Sequence, residues 1–158
     1  DHVPVTGLSH QEFDLQVGGV RAQLRDILGD GEFWLRPPYG QTDDSTRAWA
    51  DSPIVLWSVD PEDWKVLDAD KVSEHVCSHV QDGDIILLHD FYPTSVEAAL
   101  RIVDRLQEEG YEFVTVEELL RLNGTKAVPQ RLGRAVMRKN AEIAKKIQNS
   151  LAMRQKLC

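Results

Sequence analysis

Four short apolar runs, at residues 32–35, 54–59, 85–88 and 113–114, each give way at once to polar or proline-rich residues. Between them lie stretches with helical patterning. Ser9-His10-Gln11-Glu12 reads as a capping box, and Phe13, Val17, Val20, Leu24, Ile27 and Leu28 follow at helical spacing up to Gly29. Asp43 and Asp44 read as the N-cap region of a short helix over 45–50, and Val72, Val76 and Val80 share one face of a helix over 69–81. Thr94-Ser95-Val96-Glu97 has the form of a second capping box, opening a helix that runs to Gly110. Thr115-Val116-Glu117-Glu118 caps a last helix, stopped by Asn123-Gly124. Continuous apolar strands alternating with helices are the pattern of an α/β protein with a parallel sheet. Four strands are about half of what a closed (β/α) barrel uses.

The net charge of −8 conceals two different objects. Residues 125–158 hold nine of the 18 Lys and Arg but only one of the 26 acidic residues, Glu142, so the tail carries +8 and the body −16. An acidic body argues against nucleic acid as a partner, because neutralising phosphates needs a basic surface. No run approaches the length of a membrane span, and no signal peptide opens the chain. Cys77 and Cys158 do not make a disulfide framework, and Cys77 falls in the helix over 69–81 as a small core residue. In the tail, Leu132, Val136, Ile143, Ile147 and Leu151 form a rough helical stripe among basic residues, which predicts helix over much of 129–155. Such a helix suits an anionic surface, another chain or the acidic body, and a solvated tail fits the same pattern.

The chemistry gathers where the strands end. Phe33-Trp34-Leu35 runs into Arg36-Pro37-Pro38-Tyr39-Gly40, where each proline fixes φ and pushes the residue before it toward extended geometry. A stiff loop without helix is expected. It can hold the Tyr39 N–H at a fixed point for an oxyanion, although a proline-punctuated turn alone also accounts for it. The next two strands end in Asp60-Pro61-Glu62-Asp63-Trp64 and in His89-Asp90. Loops after parallel strands share one face of the sheet, where ligands bind. A histidine among carboxylates is suited to general acid work, while Asp63 and Asp90 as simple loop caps are the plainer alternative.

Arg-Pro-Pro-Tyr-Gly at 36–40, Asp-Pro-Glu-Asp-Trp at 60–64 and Leu-Leu-His-Asp at 87–90 resemble, in order and spacing, three of the five motifs of the polysaccharide deacetylase (NodB-homology) family of metal-dependent carbohydrate esterases. The resemblance covers residues 2–124 and leaves 125–158 as a separate basic tail. His2-Val3-Pro4-Val5-Thr6-Gly7-Leu8-Ser9 resembles the second half of the family's His-x-x-x-His metal motif, which makes His2 a metal ligand and places the other histidine upstream. The family's Asp-Asp pair is missing, since Thr42-Asp43-Asp44-Ser45 follows the rigid loop rather than a strand. His75 and His79 also stand four apart on a helix, a spacing that can hold zinc, but beside the valine stripe, as a solvated flank would.

The resemblance implies a partial, distorted (β/α) barrel with a basic helical tail, and hydrolysis of acetyl groups from an acetylated polysaccharide such as peptidoglycan or a chitin-like polymer. A divalent metal would serve it, zinc first, with cobalt, nickel or manganese as alternatives. His89 would protonate the leaving group, Asp63 would orient His89, the Tyr39 N–H would face the oxyanion, and Arg36 would tether the absent base. Trp64, Leu87, Pro37 and Pro38 would shape the pocket. The resemblance further implies action outside the cell or at its surface. With the base and other ligands missing, the chain as given is expected to catalyse poorly. A glycan-binding or structural module, or an O-acetyl esterase acting on xylan, are the rival readings.

Overall fold

The computed structural model describes residues 1–122 and the backbone of Arg138–Lys139. The described residues fall into two compact units, one built on Asp1–Leu56 and the other on Trp57–Leu119.

In the first unit, helix α1 (His10–Phe13) passes through a π-helical turn (Asp14–Gly18) into α2 (Gly19–Leu28). The Ser9 capping box forms as expected: the Glu12 N–H donates to Ser9 Oγ at 3.3 Å, and the Ser9 N–H donates to Glu12 Oε2 at 2.8 Å. Gly29 ends the helix at φ 82°, where a side chain would be strained. Phe13 and Val17 pack with Val5, Ala50 and Ile54 into a small core, and Trp49 meets Phe13 edge-on at 5.8 Å. Burying a side chain of this size stabilises by roughly 1.5–3 kcal/mol.

The apolar stripe expected beyond Val17 does not hold. Val20, Ile27 and Leu28 are exposed, and the inward line continues instead through Arg21. Its guanidinium donates to the Phe33 carbonyl at 3.2 Å, to the Ala50 carbonyl at 2.7 Å and to Ser52 Oγ, tying three separate stretches together. Burial draws its pKa down, against the pull of Asp51. Replacing Arg21 by alanine strands these acceptors, and we expect a loss of about 1–3 kcal/mol in urea unfolding.

Helix α3 (Asp44–Trp49) starts where expected. The Asp43 carboxylate accepts from the Thr46 N–H at 2.6 Å, the Gly7 N–H at 2.9 Å and Thr46 Oγ1 at 2.7 Å. These bonds pull its pKa from 3.8 to about 2. Since the folded value is the lower one, the stabilisation is present above the unfolded value and is lost as pH falls through about 2. Asp43→Asn removes this titration, so stability measured between pH 4 and pH 2 should fall less steeply than in the unmutated protein.

The second unit is built on α5 (Ala69–His79) and α6 (Pro93–Glu108), with α4 (Asp63–Val66) against both. Val72, Val76, Ala98, Ile102 and Leu106 interlock with Val59, Ala69 and Val80, and Cys77 packs half-buried at the edge, its thiol pushed up by burial. Helix α6 begins at Pro93 with Tyr92 as N-cap, so Thr94-Ser95-Val96-Glu97 is not its cap but its first turn. Proline is preorganised for the first helical position, and that preference outweighs the capping-box pattern. The Thr115–Glu118 box does form and opens α7 (Val116–Leu122).

The expected strands reduce to single parallel bridges, Leu35↔Ile54 in the first unit and Val59↔Ile86 in the second. The direction matches expectation, and Val55 and Asp82 are also bridge residues, but among the described residues no longer parallel ladder forms and no barrel closes. At 113–114 the expected strand lies two residues earlier, as β1 (Tyr111–Glu112), which pairs antiparallel with β2 (Arg138–Lys139). Helix is therefore not continuous over 129–155, because 138–139 is extended. The rest of the tail, the Asn123-Gly124 stop and the expected boundary after residue 124 lie outside the described residues. No helix among those described is long and apolar enough to cross a membrane.

Candidate active site

In the first unit, the Leu35 N–H donates to the Pro53 carbonyl at 3.0 Å, and the Leu35 carbonyl accepts from the Val55 N–H at 2.8 Å. This pins the end of the run just before Arg36, which is itself exposed. Pro37 is buried and extended at φ −68°, ψ 141°, as its pre-proline position requires. The loop is not free of helix: Pro38–Gly40 makes one 3₁₀ turn. Within it, Tyr39 is forced to φ 58°, ψ 10°, a left-handed conformation that costs a side-chain-bearing residue of order 1–3 kcal/mol. The Tyr39 hydroxyl donates to the His2 carbonyl at 3.2 Å, and its ring meets the His2 imidazole edge-on at 4.9 Å. Two residues singled out for separate reasons are thus neighbours.

In the second unit, the Val59 N–H donates to the Ile85 carbonyl at 3.1 Å and the Leu87 N–H to the Val59 carbonyl at 2.9 Å. That register sets the two strand ends side by side. Beyond it, Asp60 Oδ1 accepts the Glu62 N–H at 2.9 Å, Glu62 turns left-handed at φ 50°, and Asp63 begins α4. Asp63 is 1% exposed and holds His89 twice. Its Oδ2 accepts the His89 backbone N–H at 2.8 Å, and its Oδ1 lies 2.8 Å from His89 Nδ1. Nδ1 therefore carries a proton, and Nε2 is left for a substrate. Burial pushes the Asp63 carboxyl up, but hydrogen bonding, including both bonds from His89, outweighs it and holds the group below the usual carboxylate range. Trp64, the residue after Asp63, is half exposed; Leu87, two residues before His89, is buried; and Asp90 is exposed.

A zinc site needs three protein ligands and an open position. Among the described residues no three His, Cys, Asp or Glu side chains converge, and His2 stands against Tyr39 rather than beside a second ligand. The described residues do not fit a metal centre. His75 and His79 are exposed on α5, with rings stacked at 4.4 Å and His79 Nδ1 facing the His75 carbonyl at 2.7 Å. That is the solvated flank the sequence suggests.

Known proteins resemble the chain in sequence and in fold. The chain is 37% identical over 118 residues to the peptidoglycan-N-acetylmuramic acid deacetylase PdaC of Bacillus subtilis, covering 75% of this chain and 25% of the relative. The solved structure of PdaC superposes with a TM-score of 0.75 at 35% identity, covering 78% of this chain and 61% of that one. The chain belongs to the polysaccharide deacetylase family. It is also 36% identical over 119 residues to the peptidoglycan-N-acetylglucosamine deacetylase PgdA of Listeria monocytogenes, covering 75% of this chain and 26% of that protein. A family 4 acetyl xylan esterase from Clostridium thermocellum, solved with a cobalt ion, aligns with a TM-score of 0.79 at 28% identity over 86% of this chain and 69% of that one. No family profile matches the chain. The chain spans about a quarter of the length of PdaC and of PgdA. Sequence reasoning passed over Arg21, the edge-on contact of Tyr39 with His2, and the burial of Ser95, whose only sequence signal was a capping pattern it does not serve.

Proposed function

We propose that this deacetylase-family chain is part of a hydrolase that removes acetyl groups from a cell-wall polysaccharide, with peptidoglycan amino sugars as the first candidate substrate, acting outside the cell or at its surface. The double hydrogen bond between Asp63 and His89 carries the reading. A carboxylate that fixes Nδ1 as a donor leaves Nε2 to protonate a departing amine. The Tyr39 N–H, on its strained turn, would donate to the oxyanion, and Arg36 would hold the carboxylate of a base. Trp64 and Leu87 would contact the sugar, as would Pro37 and Pro38.

The experiment is acetate release from peptidoglycan, chito-oligosaccharide and acetyl xylan by the 158-residue chain and by the longest form in which the protein is expressed. Release from peptidoglycan or chito-oligosaccharide is expected, with the 158-residue chain the weaker catalyst because no three ligands converge among its described residues. Release confined to acetyl xylan would move the substrate to an O-acetyl ester. A second reading, a glycan-binding module without chemistry, draws on the absence of a three-ligand cluster among the described residues. Glycan binding with no acetate release from any form would establish it.

A further inference from the structure

Ser95 sits at the third position of α6 and is 1% exposed. Its backbone N–H is used, donating to the Tyr92 carbonyl at 3.0 Å, but its hydroxyl is sealed from solvent with no hydrogen bond of standard geometry. A buried hydroxyl in that state is costly, and side chains generally turn to avoid it. Helix α6 packs against α4, whose first residue is Asp63, equally buried. A carboxylate offers about four acceptor positions, and His89 occupies one on each oxygen. Lys65 of α4 pairs with Glu62 at 2.9 Å, and in α6 Glu97 pairs with Arg101, which also holds Asp70, while Arg105 pairs with Glu74 at 2.6 Å.

We propose that Ser95 is a positioning residue, its hydroxyl donating to the Asp63 carboxylate, so that α6 fixes the group that orients His89. Ser95, Asp63 and His89 then form one relay across three elements. A carboxylate held from a single side by the histidine alone could swing with it. Held also from the helix, it has one orientation, and the imidazole inherits it. The functional importance of the relay rests on the reading of His89 as proton donor, whereas the hydrogen bond itself does not.

The test is a carbon-13 titration of the Asp63 carboxyl in the unmutated chain and in Ser95→Ala and Ser95→Thr. Loss of the donor in Ser95→Ala should raise the Asp63 midpoint by about one pH unit, and Ser95→Thr, which keeps the hydroxyl, should stay near the unmutated value. An unmoved midpoint in a folded Ser95→Ala, or an equal rise in both variants, would overturn the proposal. Should Ser95→Ala not fold, the unmutated chain decides. In a mixture of light and heavy water the Asp63 carboxyl carbon should show isotope shifts from three bound protons, two from His89 and one from Ser95. Two alone would overturn it. In a form that releases acetate, Ser95→Ala should also move the acid limb of the kcat/KM profile upward, and Ser95→Thr should restore it. His89→Ala with undiminished acetate release would remove the reading of His89 and leave the titration result standing.

Discussion

Replacing Asp63 by asparagine should lower kcat for acetate release by about 10²–10⁴-fold in any form of the protein that shows activity. The reason is geometric. Asp63 presents two acceptor oxygens, one to the His89 N–H and one to Nδ1, both at 2.8 Å. An asparagine keeps a single acceptor. If its oxygen stays with the backbone N–H, its NH₂ faces Nδ1 and forces the proton to Nε2, a tautomer whose imidazolium is no longer stabilised by a neighbouring charge. Asp63 is 1% exposed and cannot touch a polysaccharide, so KM should change little. A mutant that loses affinity but keeps kcat would mean that this pair binds the substrate rather than protonating it.

Leu106→Ala should cost ~2–5 kcal/mol, the largest stability loss expected for a single truncation in the second unit. Leu106 is fully buried in α6 among Val72, Val76, Ala98 and Ile102, and shortening it leaves a cavity that two packed helices cannot easily close. Domains are held by about 5–15 kcal/mol in total, so such a loss should be plain in the midpoint of urea unfolding. Ile102→Val, which removes one methyl from the same cluster, should cost only about 0.5–1.5 kcal/mol. Equal effects from the two would show that this core relaxes around deletions.

What could be read from the sequence was mostly what is decided within a turn or two. The boxes at Ser9 and Thr115 and the cap at Asp43 join residues three apart, and all three form. The same pattern misled at Thr94, because Pro93 starts the helix one residue earlier and turns Ser95 inward. Arg21 escaped notice because its partners, Phe33, Ala50 and Ser52, are remote in sequence and mostly backbone carbonyls, which leave no mark on composition. Apolar runs announced where chain would be extended, but not how far it would pair: Leu35 and Val59 each make one bridge. At the site, the polar clusters identified Asp63 and His89, while the left-handed turn at Tyr39 follows from Pro37 and Pro38 only once the backbone is in view.

The grip of Asp63 on His89 includes the main chain as well as the ring. Because that amide is bonded to a side chain rather than to a helix or sheet ladder, it can exchange with solvent only when the site itself opens. The His89 amide is therefore a clock for the lifetime of the assembled relay. Its deuterium exchange, set beside that of amides in the middle of α5 and α6, separates fluctuations that dismantle the site from those that melt the helices around it.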